Sequence, residues 1–322
     1  MTCKRQHSSH VGRPWACIAV VAALLPGLAI GDDVPLAAHS TVLELDASLS
    51  LPSDVGVGRD GRIYVVSGGN HELAVFDRAG VRTATLGGQG SEPGQFFEPV
   101  GIGIGPQGEV YIADKGNQRL QVFSSEGHFL REIPLQDDGE AVDPVDVAVS
   151  ADGEELFVTA NNSHRLLVFS SGGTLLRAWG GEGEGEGQFR YPATVALDSK
   201  GNVLVVDVLN QRVQKFDAAG NLLLTFGGLG GKPGTLFRPK GIAVDAADRS
   251  YVSDSFLGAI QVFDASGAFI HALGADGTTT VFDTPVGMTI DASRLMVVQM
   301  LPGNVLVLDV ESSPQTVSES KP

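Results

Sequence analysis

The sequence predicts an all-β chain folded as a six-bladed β-propeller of four-stranded blades, and three observations carry that reading. Pro52, Pro99, Pro144, Pro192, Pro239 and Pro285 recur at steps of 47, 45, 48, 47 and 46 residues. After each proline come short apolar runs in a shared register, the second ending at Ser67, Asp114, Ala160, Asp207, Asp254 and Gln299, the third at Phe76, Phe123, Phe169, Phe216, Phe263 and Leu308. No run inside a repeat is long enough for a helix, and a period of about 40 to 50 residues holding four strands marks a propeller.

The stretch from Pro192 to Gly227 shows the unit most clearly. Its four apolar runs are separated by Ser-Lys-Gly-Asn, Val-Leu-Asn-Gln and Asp-Ala-Ala-Gly, which supply turn chemistry. Such a unit leaves one face uncovered by anything within itself, so it is stable only when copies of it close into a ring.

Taken in order, residues 1–31 read as an export signal peptide. Lys4, Arg5 and Arg13 precede an apolar run from Trp15 to Ile30, and Ala29, Ile30 and Gly31 are a cleavage-like end before Asp32. This implies a secreted or periplasmic protein. The alternative is tethering by an uncleaved anchor, although sixteen apolar residues interrupted by Pro26 are short for a bilayer span of about 20. Both cysteines, Cys3 and Cys17, fall in this leader, so the mature chain has no disulfide and relies on ring closure.

Residues 32–40 are expected as a short linker, 41–309 as the propeller and 310–322 as a disordered polar tail. The sixth repeat lacks a fourth strand after Leu308, and the run Thr41 to Leu45 can supply it, with Val42, Leu43 and Leu45 packing against that blade. The links between blades are long and Gly-rich. Phe96, Phe189, Leu236 and Phe282, each three residues before a blade-opening proline, are expected to pack between blades.

Without the leader, nineteen basic side chains stand against 38 acidic ones, a net charge of −19. Such a surface repels a polyanion, so a nucleic-acid partner is excluded and a basic protein or a small molecule is favoured. The links concentrate the charge: Asp137 and Asp138 in one, Glu182, Glu184 and Glu186 in another. With Arg119, Arg165 and Arg212 of the adjoining loops, these are the candidate partner-binding residues of one acidic face. The arginines have a structural reading as well, because Asp114 with Arg119 and Asp207 with Arg212 flank one hairpin each, where a carboxylate can hold turn amides or a guanidinium.

Several motifs carry no chemistry. The Gly-x-Gly-x-x-Gly spacings at Gly56, Gly58, Gly61 and at Gly103, Gly105, Gly108 run from a strand into a hairpin, with no helix N-terminus to receive a pyrophosphate. The histidines of the mature chain, His39, His71, His128, His164 and His271, scatter over the repeats and suggest no metal trio. His-Glu-x-x-His and Gly-x-Ser-x-Gly are absent from the sequence.

The segments Pro239 to Asp245, Ser250 to Asp254 and Val110 to Phe123, with their Tyr-x-x-Asp and Asn-x-Arg-x-Gln-Val-Phe patterns, resemble the NHL repeat. The resemblance covers about residues 50 to 309 and weakens at the ends, where Ser67 and Gln299 replace the strand-ending Asp and Glu72 replaces the Arg. It implies a monomeric binding or scaffold module that needs no cofactor and presents its top loops to a protein or small ligand. The alternative is a propeller enzyme. Peptidyl-hydroxyglycine amidating lyases resemble this repeat too, with zinc histidines directly after the blade prolines, where this chain has Ser53, Val100, Val145, Ala193, Lys240 and Val286. A lactonase-like hydrolase with an axial divalent cation fits better. Asp54 and Asp146 are then expected to face each other across a ring with Gly101, Thr194, Gly241 and Gly287, leaving room for a weak axial calcium site.

Overall fold

The computed structural model describes residues 34–45, 48–230, 232–275 and 278–310. The expected leader at 1–31, with both cysteines, and the tail beyond residue 310 lie outside them. Six antiparallel sheets form a propeller ring, five of four strands each and one extended to six. Blades one to five open at Pro52–Val57, Pro99–Ile104, Pro144–Val149, Pro192–Leu197 and Pro239–Val244, and each runs outward in chain order. Blade six is built of Pro285–Asp291, Arg294–Gln299, Asn304–Val310 and, outermost, His39–Leu45.

The sequence pattern explains this layering. Second strands such as Val110–Asp114 and Val203–Asp207 are buried along their whole length and are continuously apolar, whereas the outer strand Phe129–Pro134 alternates between covered and exposed residues. Packing takes place between blades: Tyr64, Val66, Leu73 and Phe96 from one side meet Ile102, Ile112 and Phe123 of the next blade. Phe96, Phe189, Leu236 and Phe282 are all buried, as the wedge positions require.

Closure follows the expected route, with corrections in detail. His39–Leu45 pairs antiparallel with Asn304–Val310, from His39 opposite Val310 to Leu45 opposite Val305. Leu45 is fully buried and Leu43 partly so, but a bulge between Thr41 and Leu43 turns Val42 outward to 53% exposure. Within the stretch expected as a linker, Leu36–Ala37 pairs in parallel with Ala272 and Leu273 of blade five, and Ala37 is buried. Here the backbone of an edge strand offered free hydrogen-bonding groups, and the chain entering the ring takes them. Among the described residues no helix is long and apolar enough to cross a membrane.

Candidate functional site

One hydrogen bond per blade brings two sets of loops to a single face. The loop between second and third strand donates an amide to the link before the blade proline: Gly69 to Ser50, Gly116 to Phe97, Asn161 to Asp143, Leu209 to Arg190, Ser255 to Arg238 and Met300 to Thr284, at 2.7 to 3.4 Å.

The buried Asp that ends the second strand enforces this arrangement. Asp114 Oδ1 accepts from the Phe97 amide at 2.7 Å, and its Oδ2 accepts from Asn117 at 2.8 Å, Arg119 Nε at 2.9 Å and Gln121 at 3.0 Å. Asp207 repeats the set with Arg190, Asn210, Arg212 and Gln214. Arg119 also donates to Glu132 and to the carbonyls of Glu92 and Gln95, and Arg212 to those of Gly185 and Gln188. These two guanidiniums therefore hold the links in place, and their donors face protein acceptors instead of a partner. In blade three Ala160 stands where the Asp would be, and Arg165 finds Asp137 of the preceding link at 2.6 Å, which the sequence did not disclose. Asp137 is buried by that pair, while Asp138, Glu182 and Glu186 are exposed and Glu184 meets Arg190 at 2.8 Å. The acidic residues thus lie out along the links, away from the axis.

Nearer the axis the same face is apolar. Leu51, Phe97, Tyr191, Leu209, Phe237, Phe256 and Leu301 are all exposed, and Phe237 stacks on Phe256 with centroids 4.1 Å apart. The residues just before four blade prolines, Leu51, Glu98, Tyr191 and Thr284, hold φ between 45 and 58°, a left-handed conformation that L side chains resist. His71 and His164 help to hold it, each accepting at Nδ1 the amide of Glu98 or Tyr191 at 3.0 and 3.1 Å. His39 and His271 lie elsewhere, both shifted down by burial, His271 to about 4. Among the described residues no three His, Cys, Asp or Glu groups come together.

The rim opens into an axial funnel of about 680 Å³. Its walls are Val100, Val145, Ala193, Val208, Leu209, Val286 and Met300, with Tyr191, Arg238 and Lys240 near the mouth. Five of the six ring positions expected near the top line it: Asp54, Gly101, Asp146, Thr194 and Gly287. Lys240 is partly buried and has no hydrogen-bond or ion-pair partner among the described residues. Burial and the nearby Arg238 charge both hold its ammonium below the usual lysine range. The Arg238 side chain is exposed at the lip and likewise unpaired among the described residues. Sequence reasoning passed over both cations, because position 240 was weighed only for the missing histidine.

The two carboxylates expected to hold calcium form the floor of the funnel. Instead of facing each other across open space, Asp54 and Asp146 meet closely enough to hydrogen-bond, and both are buried. Every carboxyl oxygen accepts a backbone amide: Asp54 from Val55 and Ile102, Asp146 from Val147 and Val195, at 2.8 to 3.0 Å. Burial and the charge of Asp146 push Asp54 well above the usual carboxylate range, and burial pushes Asp146 up to about 6. Both shifts favour a protonated carboxyl within the pair, and two carboxylates already engaged by backbone amides offer fewer ligands than the 6–8 oxygens calcium takes. The reason is convergence of the first strands. A Cβ on Gly287 would fall 2.2 Å from Asp54 Oδ1, and one on Gly101 2.6 Å from Asp146 Oδ1, so no side chain fits between blades there. Below this floor a second, smaller cavity of about 290 Å³ continues down the axis.

The NHL repeat model matches residues 96–123 and 189–216, the link and first three strands of blades two and four. The chain is a six-bladed β-propeller that carries NHL repeats in blades two and four. A streptogramin B lyase structure superposes with a TM-score of 0.63 at 14% identity, covering 85% of this chain and 98% of that one. A catalytically inactive virginiamycin B lyase from Staphylococcus aureus with quinupristin gives 0.61 at 15%, covering 85% and 99%. Hydrazine synthase of Kuenenia stuttgartiensis gives 0.58 at 13%, covering 81% and 96%. At these identities the likeness concerns the fold alone. No curated protein matches the sequence significantly.

Proposed function

We propose that this protein is an exported binding module whose axial funnel takes a small amphipathic carboxylate. The observation that carries the reading is the pair of cations, Arg238 and Lys240, without side-chain partners among the described residues and lining a funnel whose other walls are mostly apolar. A volume of about 680 Å³ lies within the range of small-molecule sites, which combine apolar walls with a few polar groups that fix orientation. An anionic head would meet the two cations while its hydrocarbon part displaces water from Val100, Val145, Val286 and Met300. The exposed rim of Phe237, Phe256 and Tyr191 extends the apolar contact outward. The outlying Glu182, Glu184, Glu186 and Asp138 keep the surface acidic, and a basic protein partner would meet them there without occupying the funnel. Export rests on the pattern of the first 31 residues.

Calorimetric titration of the mature chain with 4-methylpentanoate tests this reading. Binding is expected, and loss of one charge-assisted contact in Lys240→Met should weaken it by about tenfold or more, since such bonds contribute roughly 1.5–3 kcal/mol. The uncharged amide of the same acid should bind as poorly to the native protein. Equal affinity for acid and amide, or no heat with either, would refute the funnel as a carboxylate site.

A further inference from the structure

Lys240 differs from its counterparts in every other blade. The residue after the opening proline is Ser53, Val100, Val145, Ala193 or Val286 elsewhere, short side chains that shape the funnel wall. Ser53 has a task, donating its hydroxyl to the Val100 carbonyl at 2.6 Å. Lys215 shows what a structural lysine looks like in this fold: it is buried, with Nζ 2.8 Å from Asp198. Lys240 has no such carboxylate among the described residues, and it lines a mostly apolar funnel near a second cation, Arg238.

An amine so placed is poorly hydrated and close to a second positive charge, and both conditions favour its neutral, nucleophilic form. Arg238 at the lip offers the planar donor fork that suits a carboxylate. A 2-oxo acid places a carbonyl carbon one bond from its carboxylate, matching two neighbouring cations of which one is an amine.

We propose that Lys240 forms an imine with a 2-oxo acid that carries an apolar chain, its carboxylate held by Arg238 and its chain lying against Val145, Val286 and Met300. The proposal rests on the funnel's being a carboxylate site. The Nζ lone pair adds to the carbonyl carbon, and the carbonyl oxygen takes up a proton as the amine gives one up, forming a carbinolamine. The C–O bond then breaks, the oxygen leaves as water with the second amine hydrogen, and the C=N bond forms. No oxidant or reductant is consumed.

The test mixes the mature chain with 4-methyl-2-oxopentanoate, adds sodium borohydride to reduce any imine to a stable secondary amine, and reads intact mass and a peptide map. One adduct per chain is expected, at Lys240, with labelling about tenfold or more above that of the exposed Lys200 and Lys232. Lys240→Arg keeps the charge but cannot form an imine, so it should bind 4-methylpentanoate and trap nothing. Binding of 4-methylpentanoate to the native chain without trapping of the oxo acid would overturn the imine and leave the carboxylate site standing. Labelling spread evenly over the lysines would overturn it too, and failure of both acids to bind would overturn both readings.

Discussion

Blades two and four fasten their loops around a buried Asp that ends the second strand, whereas blades three and six have Ala160 and Gln299 there and use other groups, among them an acid from the link and one from the N-terminal strand. In blade four one buried Asp207 gathers the Arg190 amide, Asn210, Arg212 and Gln214, all drawn from the same repeat and the link before it. In blade three the acidic partner of Arg165 is Asp137, from a short hairpin in the link. In blade six Gln299 accepts the Asp283 amide at 2.7 Å and donates to Asn304, whose own amide reaches Glu44 of the N-terminal strand. The ring thus needs each link fixed to each loop, but it does not need a second-strand Asp to do it.

The comparison can be broken most forcefully at blade six. Removing residues 34–45 deletes Leu45, Leu43, Ala37, Glu44 and a whole strand ladder. Burial of Leu45 alone is worth roughly 1.5–3 kcal/mol, so the melting temperature should fall by about 10 °C or more. A truncation melting with the native chain would show that blade six closes without the strand.

In blade four, Asp207→Ala leaves the Arg190 amide, the Asn210 amide and Arg212 without their acceptor. The expected loss is about 3–5 kcal/mol in urea denaturation, as for breaking one side of a buried pair. A loss below about 1 kcal/mol would show that water replaces the carboxylate there.

The axial carboxyls belong to neither kind of clasp, and their contribution to stability depends on pH. Asp146 is raised from 3.8 to about 6 and Asp54 well above the usual carboxylate range, so the stability they contribute is full below pH 3.8 and is lost as pH rises through their folded values. Asp198 runs the other way: burial alone would raise it, but the Lys215 ammonium and Asn202 hold it below 3.8, so its contribution is lost only in acid. Melting temperature should therefore decline as pH rises from about 4 through about 6, the Asp146 shift alone corresponding to roughly 3 kcal/mol. Asp146→Asn gives up an acceptor and is expected to start lower but to show a flatter decline. A native profile flat over that range would remove the protonated carboxyl.

The smallest effect is expected in blade three. Arg165 retains 30% side-chain exposure, so Asp137→Ala leaves a guanidinium that water can still reach. A cost of about 1 kcal/mol or less is expected, shrinking with added salt. A cost equal to that of Asp207→Ala would make the borrowed clasp equivalent to the resident one.

The sequence by itself determined the ring: the proline period, the four apolar runs per repeat, the wedge residues and the strand that closes blade six are local patterns, legible because strand pairing and turn chemistry are set by neighbours in the chain. It also showed that Asp114 and Arg119 stand close enough for a clasp. The tertiary structure decided how segments far apart in the chain meet in detail. Val42 turns outward because of a bulge in a ladder with residues some 260 positions away. Arg165 pairs with Asp137 because the link folds back on the blade. Asp54 and Asp146 both line the funnel, but their separation depended on how far six inner strands converge, and glycine at 101 and 287 lets them converge until the carboxyls come within hydrogen-bonding reach. Lys240 was visible as a residue and silent as a site, since what distinguishes it is the absence of a partner around its amine, and that is settled only where the walls of a funnel come together in space.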